Sequence, residues 1–429
     1  MKVYLRTHGC RLNQAEIDSM ARQFQQQGHE IVTDPTLADQ IIINTCAVTG
    51  DATRSSRQTV RDLHRDNNQA AINVTGCYAQ IAPAEISMLP GVARVVDNLA
   101  KERLVQTITG QSTEPYDREP LERVVKGGAY GRTRAFVKVQ DGCDNACTFC
   151  VTTIARGAGR SRPLDLVIAE IRGLLAAGYQ EVVLTGVQLG SYGHDWGDQQ
   201  GLIHLIQAIL TETDTPRLRL SSLEPWDLDE VFFSLWAGEP RMCRHLHLPL
   251  QSGCDATLRR MRRRTSQAEF RQVVRWARQA APAMKITTDV IVGFPGETDN
   301  EFATTEAFVQ EMDFAGMHVF RYSPRPGTPA AKMKDHLPDR VKKARSARLL
   351  ALADAGEKRF AQRFLGGEFD VLWEHISGAT EDGFINVGYT DHYVRVRCIH
   401  PRVLTDHITR ARLGEYIDDY VQAIPVSGG

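Results

Sequence analysis

Up to about residue 110, short apolar runs alternate with longer segments whose apolar positions recur at helical spacing. VYLRT precedes the helical AEIDSMARQFQQQ, and QIIINT precedes TRSSRQTVRDLHR. AAINVTG precedes another polar helical stretch, and VARVVD closes the series. Parallel strands need crossovers long enough to hold a helix, so this rhythm predicts an open parallel α/β domain over 1–110, with helices on both faces. A stretch rich in charge, Pro and Gly, beginning QSTEPYDREPLERVVKGG, breaks the pattern and reads as a linker over 111–129.

The rhythm resumes over 130–357. AFVKV, EVVLTG, RLRLSS, HLHLPL, KITTDVIVG and MHVFRYS are strand candidates with helical segments between them. Six strand–helix units suit a partial (βα)6 barrel rather than a closed eightfold one. Polar or Gly-rich clusters follow these strands: DGCDNACTFC, Thr185-Gly186, Ser222 with Glu224, Gln251-Ser252-Gly253 and GFPGE. Their shared position predicts one carboxyl-terminal rim and one site. Over 358–429, EFDVLWEH, GFINVGY, YVRVRC and ARLGEYIDDYVQAI alternate with Gly and Asp, which predicts a small antiparallel β-barrel.

Composition narrows the class. At 429 residues the chain has room for two or three separate cores. Its net charge of −1 does not by itself mark a nucleic-acid binder. Two basic clusters, RRMRRR (259–264) and Arg156 with Arg160 and Arg162, could neutralise phosphates or form solvated faces. Tyr389, His392 and Tyr393, near Arg395 and Arg397, could stack on RNA or belong to a core. No apolar stretch approaches a bilayer span and no leader pattern opens the chain, so a cytoplasmic protein without a membrane partner is expected. Nine cysteines, an odd number, fit a reducing compartment in which thiols bind metal.

Six of the nine carry the chemistry. Cys143, Cys147 and Cys150, spaced Cys-x3-Cys-x2-Cys, can converge on one face of a metal cluster and leave its fourth corner without a protein ligand. Cys10, Cys46 and Cys77 each follow a predicted strand. In an open α/β sheet that edge gathers ligands, so these thiols become neighbours and suggest a second cluster site. The alternative is three buried structural cysteines. Cys243, Cys254 and Cys398 read as ordinary thiols, and His245 and His247, alternating on a strand, as satisfied rim or core histidines.

THGCRLNQAE, INTCAVT, VTGCYAQ, GCDNACTFC, RSRP, HLHLPLQSG, RMRRRT and DVIVGFPGET together resemble the methylthiotransferases of the radical S-adenosylmethionine superfamily. GVQLGSYG and HVFRYSPRPGTPA are similar to the branch acting on N6-threonylcarbamoyladenosine in tRNA. The branches acting on isopentenyladenosine or on a ribosomal protein aspartate are the nearest alternatives. A non-catalytic iron–sulfur carrier or RNA-binding scaffold is the alternative of a different class. A proline common in the family's CxxPxxRG pattern is Thr153 here.

The resemblance implies two 4Fe–4S clusters, one on Cys143, Cys147 and Cys150, the other on Cys10, Cys46 and Cys77. It implies S-adenosylmethionine as cofactor, with Phe149, Thr185, Gly186, Glu224, Gln251 and Asp289 at strand ends or loops where it would bind. Asn13, Tyr78 and Arg156 would flank the clusters. tRNA, an external electron donor and a sulfur source are the implied partners, and the terminal β domain would be TRAM-like and bind RNA. One cofactor molecule would donate a methyl group to sulfur on the second cluster. Another would supply a 5′-deoxyadenosyl radical to activate carbon 2 of the adenine, chemistry that amino-acid side chains alone cannot perform.

Overall fold

A computed structural model describes residues 1–112 and 133–426; most of the linker expected over 111–129 lies outside the described residues. Five parallel strands open the chain: β1 (Lys2–Thr7), β2 (Glu30–Ile31), β3 (Gln40–Thr45), β4 (Ala71–Gly76) and β5 (Val92–Val95), in the order β2-β1-β3-β4-β5. Two-residue β2 has no signature of its own in the apolar pattern. Helix α1 (Arg11–Gln26) lays Ile17, Met20 and Phe24 against Val3, Leu5 and Ile42 on one face. Helix α2 (Gly50–Asp66) sets Val60 and Leu63 against Ile41, Ile43 and Val74 on the other. Each such side chain, fully buried, stabilises the fold by roughly 1.5–3 kcal/mol.

The central domain contains β6 (Arg134–Lys138), β7 (Gln140–Asp141), β8 (Arg160–Ser161), β9 (Glu181–Thr185), β10 (Leu218–Leu220), β11 (His245–His247), β12 (Lys285–Val292) and β13 (Met317–Arg321). Strands pair in parallel as β10-β9-β6 and as β11-β12-β13. Parallel bridges Leu218–Met242 and Ser222–His247 join the two sheets. The result is the expected six-stranded partial barrel; among the described residues β13 does not pair with β6, so one side is open. The small β7–β8 clip, not legible in the apolar pattern, brackets the three-cysteine loop.

The first domain touches both flanks of that opening. Helix α1 packs on β6, and a Cβ on Gly50, at the head of α2, would stand 3.1 Å from Ser323 Oγ and 3.3 Å from Arg325 Nη2, just beyond β13.

Strands β14 (Glu368–Thr380), β15 (Gly383–Thr390), β16 (Arg395–His400), β17 (Ile408–Ile417) and β18 (Tyr420–Pro425) form a closed barrel in the order β14-β15-β16-β18-β17. It is not wholly antiparallel as expected: β16 and β18 run parallel, Val396 opposite Val421. Its β15–β16 turn is turned inward rather than toward solvent. Tyr389 and Tyr393 stack at 4.8 Å, and Arg134 and Arg219 lie over the Tyr393 ring. The Tyr393 hydroxyl accepts from Arg134 at 2.7 Å and its carbonyl from Lys285 at 3.0 Å. Arg134 and Lys285 open β6 and β12, so the turn plugs the mouth opposite the carboxyl-terminal rim. Tyr389 and Tyr393 are occupied there, and His392 is buried beside Phe364 and Phe369. The three are not an RNA-facing surface.

Candidate active site

Both cysteine triads occupy carboxyl-terminal strand edges. Cys10 follows β1 and precedes α1, Cys46 follows β3 directly, and Cys77 follows β4 and opens helix α3 (Cys77–Ile81). Since β1, β3 and β4 are adjacent strands, residues distant in sequence become neighbours. The Cys46 thiol lies within electrostatic reach of both Cys10 and Cys77, and burial pushes it up to about 11.

Two glycines make this crowding possible. Gly9 has φ +105°, and a Cβ there would lie 2.7 Å from Cys46 Cβ and 2.9 Å from its Sγ. Gly76 has φ +96°, and a Cβ would collide with Asn44 Oδ1 and the Thr45 carbonyl. Only glycine meets both demands.

Cys143, Cys147 and Cys150 sit on the loop after β7. The Cys143 amide donates to the Gly157 carbonyl at 3.0 Å, and Thr148 is tied to the Met261 and Arg260 carbonyls at 3.0 and 2.9 Å. The Asn145 and Thr152 amides point at Cys143 and Cys150 Sγ, each at 3.4 Å. Arg263 Nη1 points at Cys147 Sγ at 3.8 Å. Donors aimed at sulfur favour thiolate, yet burial pushes Cys143 up to about 12. A metal entering this loop therefore displaces protons.

Among the described residues no three His, Cys, Asp or Glu side chains converge closely enough to chelate a single ion. Within each triad the thiols lie in electrostatic reach of one another, and three cysteines with no fourth protein ligand fit an iron–sulfur cluster with an open corner.

The basic clusters are divided between interior and surface. Arg263 is buried, forks onto Glu224 at 3.0 and 2.5 Å, donates to the Pro249 carbonyl, and lies over Trp226. Arg260 pairs with Glu301, and Arg162 with Glu170 at 2.6 Å. Arg156, six residues after Cys150, is buried against the first domain. It pairs with Glu16 and Asp141, each at 2.8 Å, and donates to Asn13 Oδ1 at 2.6 Å. Asn13 is also within 3.6 Å of the Cys10 sulfur. Of these runs only Arg160, Arg259, Arg262 and Arg264 are exposed.

The remaining predicted residues separate. Thr185 ends β9, and Gly186 stands where a Cβ would press on Gln140 at 3.1 Å. Gln140 Oε1 in turn accepts from the Gln188 amide at 2.9 Å, and Gln188 Oε1 faces Cys143 at 3.4 Å. Gln251 holds φ +69° and bridges to β12. Asp289 is not at a strand end: it lies within β12, its carboxylate 3.3 Å from His247 Nε2. His247 Nδ1 meets Thr287 Oγ1 at 2.9 Å, and the His318 ring stands 5.9 Å from that of His247. Phe149 packs with Met261, Phe294, Tyr322 and Ala330. Tyr78 is tied to Arg57 at 2.9 Å. Thr153, in place of the family's proline, falls in the short helix Thr152–Arg156, and its carbonyl accepts from Gly157 at 3.0 Å.

Residues 2–97 match Uncharacterized protein family UPF0004, and 137–309 match the Radical SAM superfamily. Threonylcarbamoyladenosine tRNA methylthiotransferase MtaB of Bacillus subtilis is 38% identical over 92% of this chain and 89% of its own. The chain belongs to the radical S-adenosylmethionine methylthiotransferases.

Within this family, the MtaB of Thermotoga maritima is 37% identical over 96% of this chain and 94% of its own. The tRNA-2-methylthio-N(6)-dimethylallyladenosine synthase of Geobacillus thermodenitrificans is 33% identical over 96% and 81%. The fold is similar to that of the radical S-adenosylmethionine methyltransferase TsrM from Kitasatospora setae, with TM-score 0.58 at 17% identity, over 77% of this chain and 75% of that one. The motifs did not single out Glu16, Lys101, Asn98, Gln140, Gln188 or Arg263, whose polar contacts run around the two cysteine triads. Glu16 and Arg263 lie inside the quoted THGCRLNQAE and RMRRRT. What gave no signal was the pairing of their charges, Glu16 with Arg156 across the two domains and Arg263 with Glu224 within one.

Proposed function

We propose that the chain methylthiolates carbon 2 of N6-threonylcarbamoyladenosine at position 37 of tRNA, with Cys143, Cys147 and Cys150 holding one 4Fe–4S cluster and Cys10, Cys46 and Cys77 another. The observation that carries this reading is the joint between the two domains: Arg156, six residues after Cys150, is bound to Asn13 and Glu16 of the first domain, and Asn13 stands 3.6 Å from the Cys10 sulfur. A cluster with an open iron supplies reductive cleavage of S-adenosylmethionine, and a second one supplies a place for the sulfur that is transferred.

The chain's own residues do the rest. The Asn145 and Thr152 amides and Arg263 donate toward the sulfurs of the barrel loop and favour ionised ligands. Thr185, Gly186, Glu224 and Gln251, on the same rim, are the proposed contacts of the cofactor's polar groups; Arg263 fixes the Glu224 carboxylate. Phe149, within an apolar cluster, would stiffen the loop beside that cofactor. The joint of Arg156 with Asn13 and Glu16 would hold the two domains together around the reacting groups.

Substrate choice rests on the branch likeness and on polarity. The inner face of β12 presents Thr287 and Asp289 beside His247 and His318. These groups can hydrogen-bond a threonylcarbamoyl substituent, whereas a dimethylallyl group offers them nothing. Likeness to the dimethylallyladenosine enzymes keeps a second substrate open to test.

No described helix is long and apolar enough to cross a membrane, and a cytoplasmic setting supplies tRNA, an external electron donor and a sulfur source. The deciding experiment is anaerobic reconstitution followed by mass spectrometry of nucleosides from tRNA carrying each modified adenosine. A mass gain on threonylcarbamoyladenosine is expected; a gain on isopentenyladenosine alone would refute the substrate.

A further inference from the structure

Arg156 belongs to the central domain's cysteine loop, six residues after Cys150, yet its guanidinium, besides pairing with Asp141 of its own domain, reaches into the first domain. Nη2 reaches Asn13 Oδ1 at 2.6 Å and Nη1 reaches Glu16 at 2.8 Å. Glu16 is wholly buried, pairs with buried Lys101, and accepts from Asn44 at 3.0 Å. Lys101 donates to Asn98, whose Nδ2 stands 3.7 Å from Cys77 Sγ and 2.7 Å from the Ala155 carbonyl. A chain of polar contacts thus starts beside Cys10, passes through Arg156 and Glu16, and ends beside Cys77 and back on the Arg156 helix. Ala155 packs in the same core as Cys77 and Tyr78.

We infer that Arg156 is a positioning residue for the second triad: its charge, delivered from the other domain, stabilises the anionic form of a cluster on Cys10, Cys46 and Cys77. This rests on the reading that the triad holds a 4Fe–4S cluster. The physical case is that three thiolates around an iron–sulfur core leave net negative charge in a low-dielectric setting, where a buried cation is worth far more than at the surface. The opposing acids do not cancel this charge: buried Glu16 and Asp141 face three buried cations, Arg156, Lys101 and Lys138. Reduction adds a further negative charge, so the guanidinium raises the reduction potential. It also makes loading of the second triad depend on the folded barrel loop.

The test uses the full chain with Cys143, Cys147 and Cys150 replaced by Ala, so that only the second triad is reconstituted with iron and sulfide. Iron retention against a chelator and the midpoint potential, followed by electron paramagnetic resonance, are the readouts. Arg156→Gln should retain iron roughly ten- to a hundredfold less well and titrate at a lower potential; Arg156→Lys should recover part of the potential. Glu16→Gln weakens the same joint but leaves the guanidinium, so it should raise the potential while lowering the melting temperature. Parent-like potential and retention in Arg156→Gln would overturn the inference. So would an unchanged or lower potential in Glu16→Gln, which also decides the matter if Arg156→Gln does not fold. Absence of iron from the parent would refute the second cluster itself, and this role with it.

Discussion

Cys143, Cys147 and Cys150 are held by one loop, whereas Cys10, Cys46 and Cys77 are assembled by a sheet. In the first case the backbone between the ligands does the positioning, through the Cys143–Gly157 and Thr148–Met261 hydrogen bonds. In the second, adjacency of β1, β3 and β4 does it, helped by glycines at 9 and 76 that let strand ends crowd together. A loop site tolerates damage elsewhere in the fold; a sheet site inherits every weakness of its domain. The two therefore should respond differently to the same kind of perturbation.

The largest expected effect comes from Cys147→Ala. It should bring both cleavage of S-adenosylmethionine and methylthiolation to background while the other triad still takes up iron. Equal loss of iron from both sites, by Mössbauer spectroscopy, would show that they are not independent in loading.

Gly76→Ala should be nearly as damaging to the sheet site alone. Its φ of +96° and the collision with Asn44 and Thr45 should destabilise the first domain by about 1–3 kcal/mol, read as a lower melting temperature with loss of iron from that site. Retention of both clusters and parent stability would mean that the strand ends have slack the geometry denies.

The two ends of the barrel give a second contrast. At the plugged end Glu181 is buried; burial alone would raise its pKa, but Arg219 chiefly, with Arg134 and Arg217, holds it at about 2. A carboxylate depressed in the folded state contributes stability that is complete above the ordinary carboxylate range and lost as pH falls toward 2. Stability should fall from about pH 4.5 downward, and Glu181→Gln should flatten that limb in a pH series of unfolding curves. An unchanged limb would place the acid-sensitive group elsewhere.

Smallest of all should be Phe149→Leu. Within the Met261–Phe294–Tyr322 cluster the exchange should cost about 1 kcal/mol, with cofactor cleavage nearly intact. A large drop in cofactor binding without a change in stability would move Phe149 into direct contact.

The same contrast explains what the sequence could disclose. Cys-x3-Cys-x2-Cys is a local pattern, so its loop was legible outright. The dispersed triad was legible because its thiols follow short apolar runs, which are easily read as strands. All six barrel strands carried that signal. The parallel β16–β18 pair did not, because alternation specifies a strand's faces and not its neighbour's direction. Runs such as RRMRRR were only partly legible for a related reason: Arg259, Arg262 and Arg264 are exposed, while Arg263 is buried. Whether an arginine meets solvent or a buried carboxylate depends on residues such as Glu224 and Glu16, brought from far along the chain. Tyr389 and Tyr393 were ambiguous as RNA contacts until the β15–β16 turn was found inside the barrel mouth.

The central claim is that two triads serve one reaction with separate duties, and Cys46→Ala tests it most directly. With the variant reconstituted anaerobically and supplied with S-adenosylmethionine, reductant and tRNA bearing N6-threonylcarbamoyladenosine, 5′-deoxyadenosine and the modified nucleoside are measured together. The expected result is 5′-deoxyadenosine still formed and no methylthio product. Methylthio product at the parent level would contradict the account.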